Sequence, residues 1–193
     1  MTKILLHTCC ADCLLRTRAL IGEQIFDNEL KPQLDLYFHN PNIFPKSEYD
    51  LRRQALEKVS GDLGLNLLTV NNYRPTDYFL TQKNLYQSDD AKQNIHNKNL
   101  RCSNCIRLRL ATTVDYAIEN NYQIVGTTMV ASPYLNHKMI NQIGETLAEE
   151  SGLKWMNIPH RKLDMNTKGF YKQNYCGCLF SLNEKVAEKY YAN

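Results

Sequence analysis

The chain has 193 residues, with 23 lysines and arginines against 20 aspartates and glutamates, for a net charge of +3. That length suits one domain with a core large enough to fold without disulfides, and a balance this even permits a nucleic-acid partner without arguing for one. No run approaches the roughly 20 apolar residues of a membrane span, and the opening MTKILLHTCCADC has an apolar run too short for a secretory signal, so the expectation is a cytoplasmic protein with no membrane contact.

Lys3 to Thr8 reads as a short buried strand that delivers His7 and the first cysteines at its end. Ala11 to Ile25 reads as a helix, and the alternating, aromatic-rich Gln33 to His39 as a second strand. After the Asn40-Pro41-Asn42 loop, Ser47 to Leu63 is helical, with Ser47 as expected N-cap and Gly64 as C-cap. Asn66 to Val70 is a third strand, and Pro75 opens a helix over Tyr73 to Leu85. Gln87 to Asn99 is polar and aperiodic, which predicts a mobile loop. Cys102 and Cys105 are then expected to open the next helix. Gln123 to Thr127 follows as a strand, Ser132 to Glu150 as a helix, Lys154 to Ile158 as the last strand, and a terminal helix closes the chain. This order predicts an α/β fold, a doubly wound parallel sheet of about five strands with helices on both faces. The chain reads as one domain, 1–193, with residues 74–105 as a candidate subdomain or mobile segment.

Seven cysteines fall in three groups: Cys9, Cys10 and Cys13; Cys102 and Cys105; Cys176 and Cys178. In a reducing compartment, clustered thiols read as metal ligands or redox groups, and an odd count argues against a complete disulfide framework. Short spacings supply two soft donors per loop, the pattern of zinc and iron–sulfur sites. The first group sits past the carboxyl end of the first strand, where open parallel sheets bind ligands. Thiolates are favoured at helix N-termini, where the first and second groups are expected. Those two groups together supply enough thiolates for a four-iron cluster. Cys176-Gly177-Cys178 is too tight for common zinc spacings and suits a strained redox pair or two ligands on a bridging metal. The plainer alternative is a four-cysteine zinc site that pins loops. The adjacency of Cys9 and Cys10, and a thiol count beyond the needs of one structural site, favour chemistry.

Asp12 reads either as a carboxylate answering the helix dipole or as an oxygen ligand to a second metal. His7 reads as a satisfied core histidine; His39, His96, His137 and His160 have no ligand-like spacing. Arg16, Arg18, Arg52, Arg53, Arg101, Arg107, Arg109 and Lys138 read as solvated faces or, gathered round one crevice, as cations for an RNA backbone. Tyr37, Phe38, Tyr134, Tyr171 and Tyr175 read as core or as stacking surfaces for an unpaired base.

His7-x-Cys9-Cys10-Ala11-x-Cys13, Tyr37 to Ile43 (YFHNPNI), Arg101-Cys102-x-x-Cys105, Ser132-Pro133-Tyr134 and Gln173 to Cys178 (QNYCGC) together resemble the cobalamin-independent epoxyqueuosine reductases, the QueH family, over nearly the whole chain. The resemblance implies a nucleotide α-hydrolase-like fold. It also implies reduction of the epoxide of epoxyqueuosine to the cyclopentene of queuosine at the wobble position of tRNA. Its implied cofactor is a [4Fe-4S] cluster on Cys9, Cys10, Cys102 and Cys105. Cys176 and Cys178 would be redox-active or hold an additional mononuclear iron or zinc, with Asp12 and Cys13 as further catalytic candidates. The implied partners are the epoxyqueuosine-bearing tRNA and an external electron donor such as flavodoxin or ferredoxin. Where the family commonly has proline before the third cysteine of the first motif, this chain has Asp12.

Two other functions compete. An ATP-dependent tRNA-thiolating enzyme needs a glycine-rich phosphate loop after the first strand, and residues 7–13 contain no glycine. A zinc-stabilised RNA-binding module without enzymatic activity is the other.

Overall fold

Strands β1 (Lys3–His7), β2 (Gln33–Phe38), β3 (Asn66–Thr69), β4 (Ile124–Thr127) and β5 (Lys154–Trp155) form one sheet, ordered β3-β2-β1-β4-β5. Every pairing is parallel. The computed structural model describes residues 2–21, 32–69, 73–87, 97–159, 165 and 167–191. The calls on residues 22–25, Val70, residues 88–96 with His96, and His160 lie outside the described residues.

Helices cover both faces, as parallel strands require. They are α1 (Ala11–Ile21), α2 (Lys46–Asp62), α3 (Pro75–Thr81), α4 (Lys83–Gln87), α5 (Lys98–Glu119), α6 (His137–Glu150) and α7 (Leu179–Tyr191). The period of two along the strands sorts the core. Leu6, Leu36 and Phe38 join one cluster with Leu14 of α1 and Leu56 of α2. Leu5, Tyr37 and Val125 join the other with Val114 and Ala117 of α5. None of the described helices is long and apolar enough to cross a membrane.

Three boundaries differ from the sequence reading. The cap of α2 is Pro45 rather than Ser47, because an extended proline already ends the incoming chain there and no side chain caps the helix. Helix α5 begins at Lys98, not at the cysteines: the side chain of Asn97 accepts from the N–H groups of Asn99 and Leu100 and starts the helix a turn earlier. Ser132 does not open α6 either. A 3₁₀ turn (Thr128–Ala131) follows β4, and Asn136 caps α6 through the N–H of Met139.

The chain order runs outward from β1 to β3, then jumps back across β1 to β4. The crevice beyond the carboxyl ends of β1 and β4 is therefore the topological switch point, where such sheets bind ligands.

Candidate metal centre

Cys9 and Cys10 leave β1 at that switch point. The N–H of Cys9 donates to the Thr128 hydroxyl (3.2 Å), and the Cys9 Sγ lies 3.5 Å from the same oxygen. Cys10 occupies the N-cap of α1, where its sulfur accepts the Cys13 N–H at 3.5 Å. The helix thus turns Cys13 back toward the loop, and the sulfurs of Cys9, Cys10 and Cys13 lie within 4.8 Å of one another. Hydrogen bonds from the thiols of Cys10 and Cys13 hold the Cys9 thiol well below its ordinary value. The three sulfurs share protons among themselves, so a soft cation that displaces those protons finds its donors already gathered.

Cys102 and Cys105 are not part of that triad. They project from α5 into a second cavity, of about 490 Å³, lined also by Cys176, Cys178, Tyr78 and Arg109. Burial pushes Cys102 up to about 12 and Cys105 up to about 11, so both keep their protons at neutral pH unless a metal displaces them. The helix-start argument fails for this pair because α5 begins a turn earlier.

Cys176 and Cys178 flank Gly177, whose φ of +107° lets the chain fold tightly enough to hold both sulfurs on one side, 3.5 Å apart. Neither is in a disulfide. Cys178 caps α7 as Cys10 caps α1: its sulfur accepts the Ser181 N–H at 3.4 Å. The Cys178 thiol lowers Cys176 to about 6 through a hydrogen bond to its sulfur. The tyrosine Tyr78 is hydrogen-bonded to Cys178, and burial raises its own pKa further.

The triad borders a cavity of about 520 Å³, which shares Arg109, Tyr134, Leu135 and Cys176 with the first. All seven thiols therefore line one two-chambered crevice or its walls.

A family model described as epoxyqueuosine reductase QueH matches residues 4–184. The chain belongs to the QueH family. It is similar to the epoxyqueuosine reductase QueH of Thermotoga maritima, at 33% identity over 194 residues covering 96% of this chain and 93% of the relative. The Dehalococcoides mccartyi relative of that name is 31% identical, with 96% of each chain covered. That of Staphylococcus aureus is 30% identical over 93% of this chain and 75% of its own.

In this QueH-family crevice, Arg109 is the central cation. It is buried, donates from Nη2 to Asn40 Oδ1 (2.6 Å) and places Nε 3.4 Å from His7 Nε2. Asn40 in turn donates to the Thr8 carbonyl. His7 is fully buried against Thr127 (Nδ1 to Oγ1, 2.8 Å), and burial followed by Arg109 lowers it to about 3. It is thus the neutral core histidine that the sequence reading expected.

Asp12 lines the triad's cavity, with Arg16 Nε on one carboxylate oxygen (2.8 Å) and the Thr167 hydroxyl on the other. It ties α1 to the segment that leads to the last cysteines. Arg52, expected on a solvated face, is buried and pairs with Glu48. Arg53 does lie on a solvated face, beside Glu57. Tyr134 stands in the wall between the two cavities. Sequence reasoning missed Tyr78, Glu48 and Thr128, which carry no motif; only their position beside the thiols marks them.

Proposed function

We propose that this chain reduces epoxyqueuosine in tRNA to queuosine, in the cytoplasm. Family membership supports the reaction, and the convergence of Cys9, Cys10 and Cys13 at the switch point is the observation that carries the reading to this chain. Removing the epoxide oxygen as water takes two electrons and two protons. The thiols fit metal binding, being soft, mutually close and largely buried.

The geometry favours a division of the thiols. Cys102, Cys105, Cys176 and Cys178 line one cavity and offer the four-thiolate set of a [4Fe-4S] cluster. Cys9, Cys10 and Cys13 would hold an additional mononuclear iron or zinc through three thiolates, with Asp12 alongside as a carboxylate. Such a set leaves a position for substrate. When bound, the cluster supplies single electrons and the second metal polarises a C–O bond. The protein's own residues shape the crevice, keep Arg109 opposite the thiols and hold the loops in register. The sequence resemblance instead puts Cys9 and Cys10 with Cys102 and Cys105. An unpaired anticodon base enters without melting a helix. An external flavodoxin- or ferredoxin-type donor reloads the centre.

Metal and sulfide analysis of anaerobically reconstituted Cys10→Ala and Cys178→Ala variants tests the division. The account expects Cys178→Ala to lose acid-labile sulfide and the broad visible absorbance, and Cys10→Ala to keep both while losing the additional metal. The reverse outcome returns Cys9 and Cys10 to the cluster. Colourless protein holding zinc alone overturns the reductase reading.

A further inference from the structure

Among the described residues, four buried side-chain polar atoms have no hydrogen-bond partner, and one of them, Oδ1 of Asn42, belongs to a residue that lines the four-thiol cavity. Buried polar groups in native proteins are nearly always paired, so an orphan needs an explanation. Asn42 is only 1% exposed, so bulk water does not satisfy the carbonyl. Nor can the loop readily move to relieve it. The Ile43 N–H is bonded to the Asn40 carbonyl, the Ile43 carbonyl accepts the Tyr73 hydroxyl (2.8 Å), and the Phe44 N–H donates to the Gly177 carbonyl (3.0 Å). The neighbouring Asn40, by contrast, is fully used by Arg109 and the Thr8 carbonyl.

The other charged groups of this cavity are committed. Arg101 and Lys98 pair with Glu184, and Arg109 serves Asn40 and faces His7. The remaining lining is thiol, aromatic or aliphatic, with the hydroxyl of Ser181 taken by the Cys176 N–H. A ligand entering here meets one preplaced, unspent acceptor. A buried acceptor left unpaired in the free protein costs stability, and a ligand that donates to it recovers that cost as affinity. The same acceptor disfavours a ligand that brings no donor.

We propose that Oδ1 of Asn42 is a substrate-recognition contact that accepts a hydrogen bond from a hydroxyl or protonated amine on the modified side of the epoxyqueuosine base. This rests on the reductase reading and adds to it a residue that discriminates the modified base from an unmodified one.

The test compares holoenzyme binding to two anticodon stem-loops, one carrying epoxyqueuosine and one carrying guanine. Wild type is expected to prefer the modified RNA. Asn42→Leu, close in size and without the acceptor, is expected to lose about tenfold of that preference, the factor carried by one good hydrogen bond. Its thermal midpoint should be no lower than wild type, because the change removes an unpaired polar group. Asn42→Asp, which keeps an acceptor, should retain the preference. An Asn42→Leu variant that keeps full discrimination, or that loses it only with a lowered midpoint, overturns the contact: the oxygen then serves the fold through an internal water. Loss of preference in Asn42→Asp overturns the acceptor role. A wild type that does not discriminate at all removes the reductase reading and this inference with it.

Discussion

Arg52 donates to the carbonyl of Cys176 at 3.0 Å, so a cation from α2 fixes the height of the last cysteine loop. Its Nη2 takes the Tyr175 carbonyl (3.2 Å), its Nε pairs with Glu48 (2.5 Å), and its plane lies over the Tyr175 ring. Glu48 also accepts the Tyr171 hydroxyl. One buried fork thus joins the helix that follows β2 to the segment bearing Cys176, with geometry that only a planar guanidinium offers.

Removing that cation should be costly. With both side chains nearly inaccessible, Arg52→Met leaves Glu48 uncompensated, a loss of about 3–5 kcal/mol. Urea unfolding measures it. Arg52→Lys should recover little, since an ammonium cannot serve both carbonyls and the carboxylate. The double change Arg52→Met with Glu48→Leu should recover more than Arg52→Lys does.

Gly177→Ala probes the same contact from the other side. The residue sits at φ +107°, and a Cβ there would lie 2.9 Å from Arg52 Nη1. Strain of about 1–3 kcal/mol is expected, together with a displaced Cys176 and lost turnover. Gly64→Ala is the control: its φ is +65° but nothing lies within 4 Å of an added Cβ, so it should cost about 1 kcal/mol and leave turnover intact.

His39 sets a pH dependence. Burial, followed by Arg109, lowers it from 6.5 to about 4. A folded-state value below the unfolded one means that the unfolded chain binds the extra proton. Stability from this group is therefore present above pH 6.5 and lost as pH falls toward 4, at up to about 1.4 kcal/mol per pH unit. Denaturant titrations between pH 7 and pH 4 should show His39→Asn losing stability less steeply than wild type.

In metal-free, reduced protein, Cys176 should alkylate with iodoacetamide at the lowest pH of the two crevice loops, with a midpoint at about 6. Cys102 and Cys105 should remain unreactive until alkaline pH, because burial raises both. Cys178→Ala should move the Cys176 midpoint upward by removing its thiol donor. Site-resolved mass spectrometry reads each position.

The parallel sheet was legible in the sequence because its strands are short apolar runs between helical periods, and KILLH is buried from Ile4 onward. The start of α5 was not, since Asn97 ends a polar, aperiodic stretch in which no periodicity marks a cap. The cysteines announced a metal-type site, and their place beyond β1 followed from strand order. Which thiols meet which depends on α5 and the Gly177 turn packing across the sheet, and spacing carries no information on that. Arg52 and Arg109 looked like surface cations because sequence does not reveal the backbone carbonyls, asparagine and carboxylate that make their burial tolerable.

The most direct measurement is a single turnover under strict anaerobiosis. Fully reconstituted protein is chemically reduced and mixed with epoxyqueuosine-bearing tRNA, and the digested RNA is weighed by mass spectrometry. The account predicts loss of one oxygen from the modified nucleoside, giving queuosine in proportion to loaded enzyme, and no product from Cys10→Ala. Unchanged epoxyqueuosine with a fully loaded, reduced centre would contradict it.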